Sequence, residues 1–158
     1  DIDQLITYMF DTSINKGTMH NVNRARINGF DAGVSTDLAG WKLAANLSLL
    51  DPKDRDSGKL LPRRAKQTIK FDADHPFGKT GVGLTLLAQS HRLDFDNTGN
   101  DVRVAGYSIV NLRAQHHLSK KWTLHGKIDN VFDKKYQTIH TYNSAGRNMF
   151  ISVMYTLD

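Results

Sequence analysis

From Trp41 onward, apolar and polar residues alternate almost one by one. In the segment 122–129, Trp122, Leu124 and Ile128 share one side, while Thr123, His125, Lys127 and Asp129 share the other. Successive side chains of a β-strand point to opposite faces, so such a segment is apolar on one side and charged on the other. Period-two alternation predicts about eight strands, near residues 2–10, 24–36, 41–50, 63–75, 81–93, 102–118, 122–130 and 147–157. In the third, Trp41, Leu43, Ala45, Leu47 and Leu49 oppose Lys42, Ala44, Asn46 and Ser48. In the fourth, Ala65, Ile69, Phe71 and Ala73 oppose Arg64, Lys66, Thr68, Lys70, Asp72 and Asp74.

The connections give this pattern a direction. Those near residues 37–40, 76–80 and 119–121 are short, whereas those near 11–23, 51–62, 94–101 and 131–146 are long and polar, and the two kinds alternate. Barrels of the bacterial outer membrane have this asymmetry, with short periplasmic turns and long extracellular loops. An even strand number then puts the C-terminus on the periplasmic side. The three-residue loop Ser119-Lys120-Lys121 keeps Leu118 and Trp122 on one face. It predicts the polar pairs Gln115 with His125, Arg113 with Lys127 and Asn111 with Asp129. Arg113 and Lys127 repel unless Asp129 or another acid intervenes, so the polar face should be wet. Trp41 and Trp122 each follow a short turn, and Tyr155 lies near the chain end, as an interfacial aromatic girdle requires.

Composition fits this reading. Of the 158 residues 39% are hydrophobic, with no run approaching the roughly 18 apolar residues of a membrane helix. A barrel strand needs only about 9–11 residues, every second one apolar. The expected fold class is therefore all-β, an antiparallel transmembrane β-barrel of about eight strands. There is no cysteine, hence no disulfide and no thiolate chemistry. The net charge of +5 comes from scattered pairs such as Arg63-Arg64, Lys120-Lys121 and Lys134-Lys135, interleaved with acids. That distribution points to lipid headgroups and lipopolysaccharide rather than nucleic acid. The chain starts at Asp1 without an initiator methionine or signal segment, so a processed or excised piece is expected.

Catalytic and metal readings find little support in the residue spacing, and neither an enzyme nor a cofactor is expected. His116 and His117 are adjacent and must point to opposite faces, so they cannot share one ion. Gly78-Lys79-Thr80 resembles the end of a phosphate-binding loop, but Ala73 stands where the first glycine is needed. Asp94-x-Asp96-x-Thr98-Gly99 looks like the start of a calcium loop, yet Ala105 occupies the place of the bidentate glutamate.

The string Gly126-Lys127-Ile128-Asp129-Asn130-Val131-Phe132-Asp133-Lys134-Lys135-Tyr136, followed by Ala145-Gly146-Arg147 and the terminal run 149–157, resembles the closing region of TonB-dependent outer-membrane receptors. Arg24-Ala25-Arg26-Ile27-Asn28-Gly29-Phe30-Asp31 is similar to an earlier strand of that family. Leu60-Leu61-Pro62-Arg63-Arg64-Ala65-Lys66-Gln67 resembles the cobalamin (vitamin B12) transporter branch. The family's barrels usually end on an aromatic residue, where this chain has Leu157 and then Asp158.

The resemblance implies that residues 1–158 are the C-terminal part of a 22-stranded barrel, with the plug domain and its TonB-binding segment outside the chain. It implies uptake of cobalamin or another large scarce nutrient, driven by the TonB system through the plug. Arg63 and Tyr142 are the positions it carries over as ligand contacts, whereas strict alternation puts Arg64 in the inward set instead. A siderophore or haem receptor is the near alternative, and a self-contained eight-stranded barrel with a structural or adhesive role is the more distant one.

Overall fold

A computed structural model describes residues 2–11, 13, 14 and 16–157. Twelve antiparallel strands follow one another: β1 (Ile2–Asp11), β2 (Lys16–Leu38), β3 (Trp41–Asp54), β4 (Gln67–Phe77), β5 (Thr80–Gln89), β6 (Arg92–Phe95), β7 (Asp101–Val104), β8 (Tyr107–His117), β9 (Trp122–Asp129), β10 (Gln137–Ile139), β11 (Tyr142–Asn143) and β12 (Asn148–Tyr155). Eight of them form one sheet in the order β1-β2-β3-β4-β5-β8-β9-β12. The hairpins β6/β7 and β10/β11 stand apart from it, each inside a long connection. No helix occurs among the described residues.

Register follows the turns. Leu38 pairs with Trp41 across Ala39-Gly40, and positive φ at both residues (49° and 81°) is the geometry of a two-residue hairpin turn whose twist matches the strands. Phe77 pairs with Thr80 across Gly78-Lys79. Between β8 and β9 the amide of Leu118 donates to the carbonyl of Trp122 at 3.0 Å, closing the expected three-residue loop. Gln115 therefore faces His125 and Arg113 faces Lys127, as the loop length requires.

One face carries Val34, Leu38, Ile69, Ile151 and Val153, with 67%, 63%, 48%, 81% and 55% of their surface exposed. Among the described residues no second layer covers them, and the buried apolar residues there are Ala25, Leu61, Ala73 and Val104. A sheet with one long unburied apolar face needs an apolar medium against it. At the short-turn end that face finishes in rings. Trp41 meets His75 edge-on at 4.8 Å, His75 stacks on Phe77 at 4.2 Å, and Trp122 lies 4.7 Å from Tyr155.

Two sequence expectations are corrected. Residues 11–23 are not a long loop, because β1 and β2 pair up to Asp11 opposite Lys16; residues 12 and 15 lie outside the described ones. The pairing persists where alternation has lapsed because ladder hydrogen bonds need no apolar face. The sheet also does not close on itself as a self-contained eight-stranded barrel would. Among the described residues β1 pairs only with β2 and β12 only with β9, so both edges are open.

Candidate functional site

The long connections are tied down at their bases. Asn130, 2% exposed, adopts φ 51°, a left-handed turn that asparagine tolerates better than most residues. Its Nδ2 donates to the carbonyls of Lys134 at 2.9 Å and Ala145 at 3.4 Å, while its Oδ1 accepts from the Lys134 amide at 2.8 Å. Asp133, also left-handed at φ 51°, accepts from the Arg147 amide at 2.9 Å and from Lys135 Nζ at 3.1 Å. Those donors hold its carboxyl below the usual range. The string that first suggested a family is thus a clasp, joining the two ends of the connection between β9 and β12.

Asp94 joins three connections to one another. It is fully buried. One carboxylate oxygen accepts from Arg63 Nε at 2.9 Å and the Phe95 amide at 3.0 Å, and the other accepts from the His140 amide at 2.7 Å. The Arg63 amide donates to the Leu93 carbonyl at 2.7 Å, so backbone and side chain of Arg63 are both anchored to β6. Burial pushes the Asp94 carboxyl up, but the His140 amide, Arg63 and the Phe95 amide outweigh it and hold the pKa below its ordinary value.

Around this hub lies a cavity of about 610 Å³, bordered by Met19, Arg63, Phe95, Tyr142 and the turns at 96–97 and 139–141. Its wall is evenly polar and apolar, a mix that suits a large amphipathic ligand. Arg63 and Tyr142 therefore meet at one site although they lie far apart in sequence. Arg64 does not join them: its Nη1 donates to the Pro62 carbonyl at 3.1 Å, and it borders a separate, smaller recess. The strand expected over residues 63–75 starts later than alternation predicts. β4 begins only at Gln67, and Arg63 is left-handed at φ 62°, so two-residue parity does not extend back through this turn.

The carboxylates of the calcium-like string are both committed to protein donors. Asp96 accepts from the Thr98 amide at 2.8 Å, Thr98 Oγ1 at 2.7 Å, the Asn100 amide at 2.9 Å and Asn100 Nδ2 at 3.1 Å. Those bonds depress its pKa strongly and make it a turn cap. Among the described residues no cluster of acids and histidines is arranged to hold a metal. His116 and His117 bond separately, to Thr80 at 2.8 Å and to Thr123 at 3.0 Å.

Below the cavity the polar face is a charge network. Arg113 binds Asp74 through Nε at 2.9 Å and Nη2 at 2.5 Å, and donates to Thr85 at 2.6 Å. Thr85 in turn donates to Asp72 at 2.6 Å. Lys127 pairs with Asp129 at 2.9 Å. The anticipated repulsion between Arg113 and Lys127 is thus relieved by a separate acid for each.

Sequence reasoning missed Asp94 as a hub, and it missed Arg92. Arg92 is 8% exposed, donates to Gln89 at 2.6 Å, and lies 5.9 Å from the centre of the Tyr107 ring. Tyr107 packs on Tyr136 at 4.1 Å. Apolar parity gave no hint of either, because β6 has only four residues.

A family model described as "TonB dependent receptor-like, beta-barrel" matches residues 1–131. Among solved structures, the copper transporter OprC superposes with a TM-score of 0.79 at 22% identity, over 98% of this chain and 27% of that one. The ferric enterobactin receptor PfeA of Pseudomonas aeruginosa gives 0.73 at 22% identity, over 88% and 23%. FpvA of P. aeruginosa, bound to heterologous pyoverdines, gives 0.72 at 22% identity, over 97% and 23%. The chain spans about a quarter of the length of these receptors.

Proposed function

Because the chain belongs to the TonB dependent receptor-like β-barrel family, we propose that it supplies the C-terminal wall of an outer-membrane barrel that takes up cobalamin under TonB control. In this reading the apolar face meets lipid and the Arg113–Asp74 face lines the lumen. The long connections stand outside the cell, and the short turns and the C-terminus stand in the periplasm. A plug supplied outside residues 1–158 would carry the contact to TonB, and lipopolysaccharide would surround the outer rim.

One observation carries the cargo assignment. Arg63 and Tyr142, the positions implied by the resemblance to the cobalamin branch, border a single cavity. Tyr142 is 69% exposed, offering a ring face and a hydroxyl to an amide-rich macrocycle. Arg63 offers a donor fork already fixed at Nε by Asp94. Neither group is placed for covalent chemistry, so the role is binding.

Cobalamin titration of the intact receptor tests this. Tyr142→Ala and Arg63→Gln are each expected to weaken binding about tenfold, the equivalent of ~1.4 kcal/mol. Unchanged affinity in both variants would remove the cavity from the cargo path. A second reading, an anionic ferric siderophore or haem, is favoured by the excess of cations on these connections, where Arg63, Arg64, Lys66, Arg92 and Arg103 outnumber Asp94, Asp96 and Asp101. Saturable binding of such a chelate, with none of cobalamin, would select it.

A further inference from the structure

Beside the cargo cavity, and separate from it, lies a recess of about 20 Å³ bordered by Arg64, Lys66, His91 and Arg92, with Pro52, Leu60, Leu61 and Leu93 forming its apolar side. Three of the four polar residues carry full positive charge, and no acid borders the recess. The ion pairs of the described residues include none for Arg64, Lys66 or Arg92.

Arg92 is the sharpest anomaly. It is more than nine-tenths buried, yet its partners are neutral oxygens: Gln89 Oε1 at 2.6 Å and the Thr138 carbonyl at 3.5 Å. Its Nε is buried with no hydrogen-bond partner. Asp94 sits two residues along the same strand, but both its oxygens are taken by Arg63, Phe95 and His140. A buried guanidinium with an idle donor is costly unless an anion compensates it. His91 adds a donor. Arg103 Nη2 lies 3.0 Å from His91 Nδ1, and because arginine only donates, Nδ1 accepts and the ring proton belongs on Nε2.

We propose that this recess binds one compact inorganic anion of chloride size. The recess is small, about 20 Å³, enough for at least one water-sized occupant, which suits a compact ion. The anion joins the connection between β3 and β4, through Arg64 and Lys66, to hairpin β6/β7 through Arg92. It thereby braces the same two connections that Arg63 and Asp94 hold together, and it does so whatever the cargo is.

The test uses the intact receptor in detergent, unfolded thermally in sodium chloride, bromide or gluconate at one ionic strength. The melting midpoint is expected to rise saturably with chloride and with bromide but not with gluconate. Lys66→Gln and Arg64→Gln, whose side chains are only partly buried, should each raise the half-effective halide concentration about tenfold, a change equivalent to ~1.4 kcal/mol. Crystals grown in bromide should show an anomalous peak between Arg92 and Lys66, absent in Arg92→Leu. Should Arg92→Leu fail to fold, the Lys66→Gln midpoint series still decides. Equal midpoints in chloride and gluconate, a halide effect that survives both glutamine variants, or bromide found only elsewhere would each overturn the proposal.

Discussion

Asp94→Ala is the most informative single change. The substitution removes the acceptor of three donors: Arg63 Nε at 2.9 Å, the Phe95 amide at 3.0 Å and the His140 amide at 2.7 Å. Breaking a fully buried pair costs about 3–5 kcal/mol, but the Arg63 side chain is 40% exposed and regains water, so its share must be discounted. What remains is chiefly the two amides, each left without its acceptor at a cost of about 1–2 kcal/mol, the lower part of the range for a buried donor because local opening readmits water. We take about 2–4 kcal/mol for local opening of the three connections, with the eight-stranded sheet intact. In amide exchange of the intact receptor, protection at His140 and Phe95 should fall roughly thirty- to a thousandfold, while Val110 and Leu124 keep theirs. Asp94→Asn, which retains one acceptor, should fall between. The pH dependence has a definite sign. The folded pKa lies below the ordinary 3.8, so the clamp is complete at neutral pH and weakens as pH falls through the depressed value. Wild-type protection at His140 in Asp94→Ala, or loss equal across the whole sheet, would refute this account.

Three further outcomes follow from the geometry. Gly83→Ala would set a Cβ 2.2 Å from Asp74 Oδ1 and 2.5 Å from Arg113 Nε, displacing the bidentate pair and costing about 1–3 kcal/mol in denaturant unfolding. Gly126→Ala, whose Cβ meets nothing within 4 Å, should be neutral or stabilising, and equal behaviour of the two would contradict the packing described. Asn130→Ala places a Cβ residue without a side-chain partner at φ 51° and breaks three hydrogen bonds; a loss of about 2–4 kcal/mol is expected, and a melting midpoint matching wild type would argue against the clasp. Because residues 1–158 contain no cysteine, Asn97→Cys and Lys79→Cys each add one thiol to this part of the receptor, and labelling above that of the unsubstituted receptor reports sidedness. In intact cells a membrane-impermeant thiol reagent should label the first and reach the second only after permeabilisation, whereas the reverse order would invert the proposed topology.

Legibility in the sequence followed the lipid. Where one face meets an apolar medium, as along Trp41–Leu49 and Val82–Leu86, alternation revealed strand, face and even pairing; a three-residue loop was enough to set Arg113 opposite Lys127. Where the sequence shows no apolar alternation, as in Lys16–Asn23, no period of two marks the strand, and a strand of 23 residues was read as partly loop. The candidate site was legible only through family strings, which singled out Arg63 and Tyr142. Its supporting contacts were not, because Asp94 meets Arg63 and His140 across separations of 31 and 46 residues, which no local pattern encodes. Parity could not choose between Arg63 and Arg64, because the strand begins only at Gln67 and Arg63 is left-handed.

The clasp at Asn130 and Asp133 bears on how such a surface diversifies. It fastens the start of the last long connection to Ala145 and Arg147 before the chain reaches its tip, so the pairing of Asn148 with Asp129 does not depend on what lies between. Residues 137–143 thus lie outside the β9–β12 ladder: a peptide exchanged there would forfeit the bond from the His140 amide to Asp94 but is expected to leave the rungs of that ladder in place.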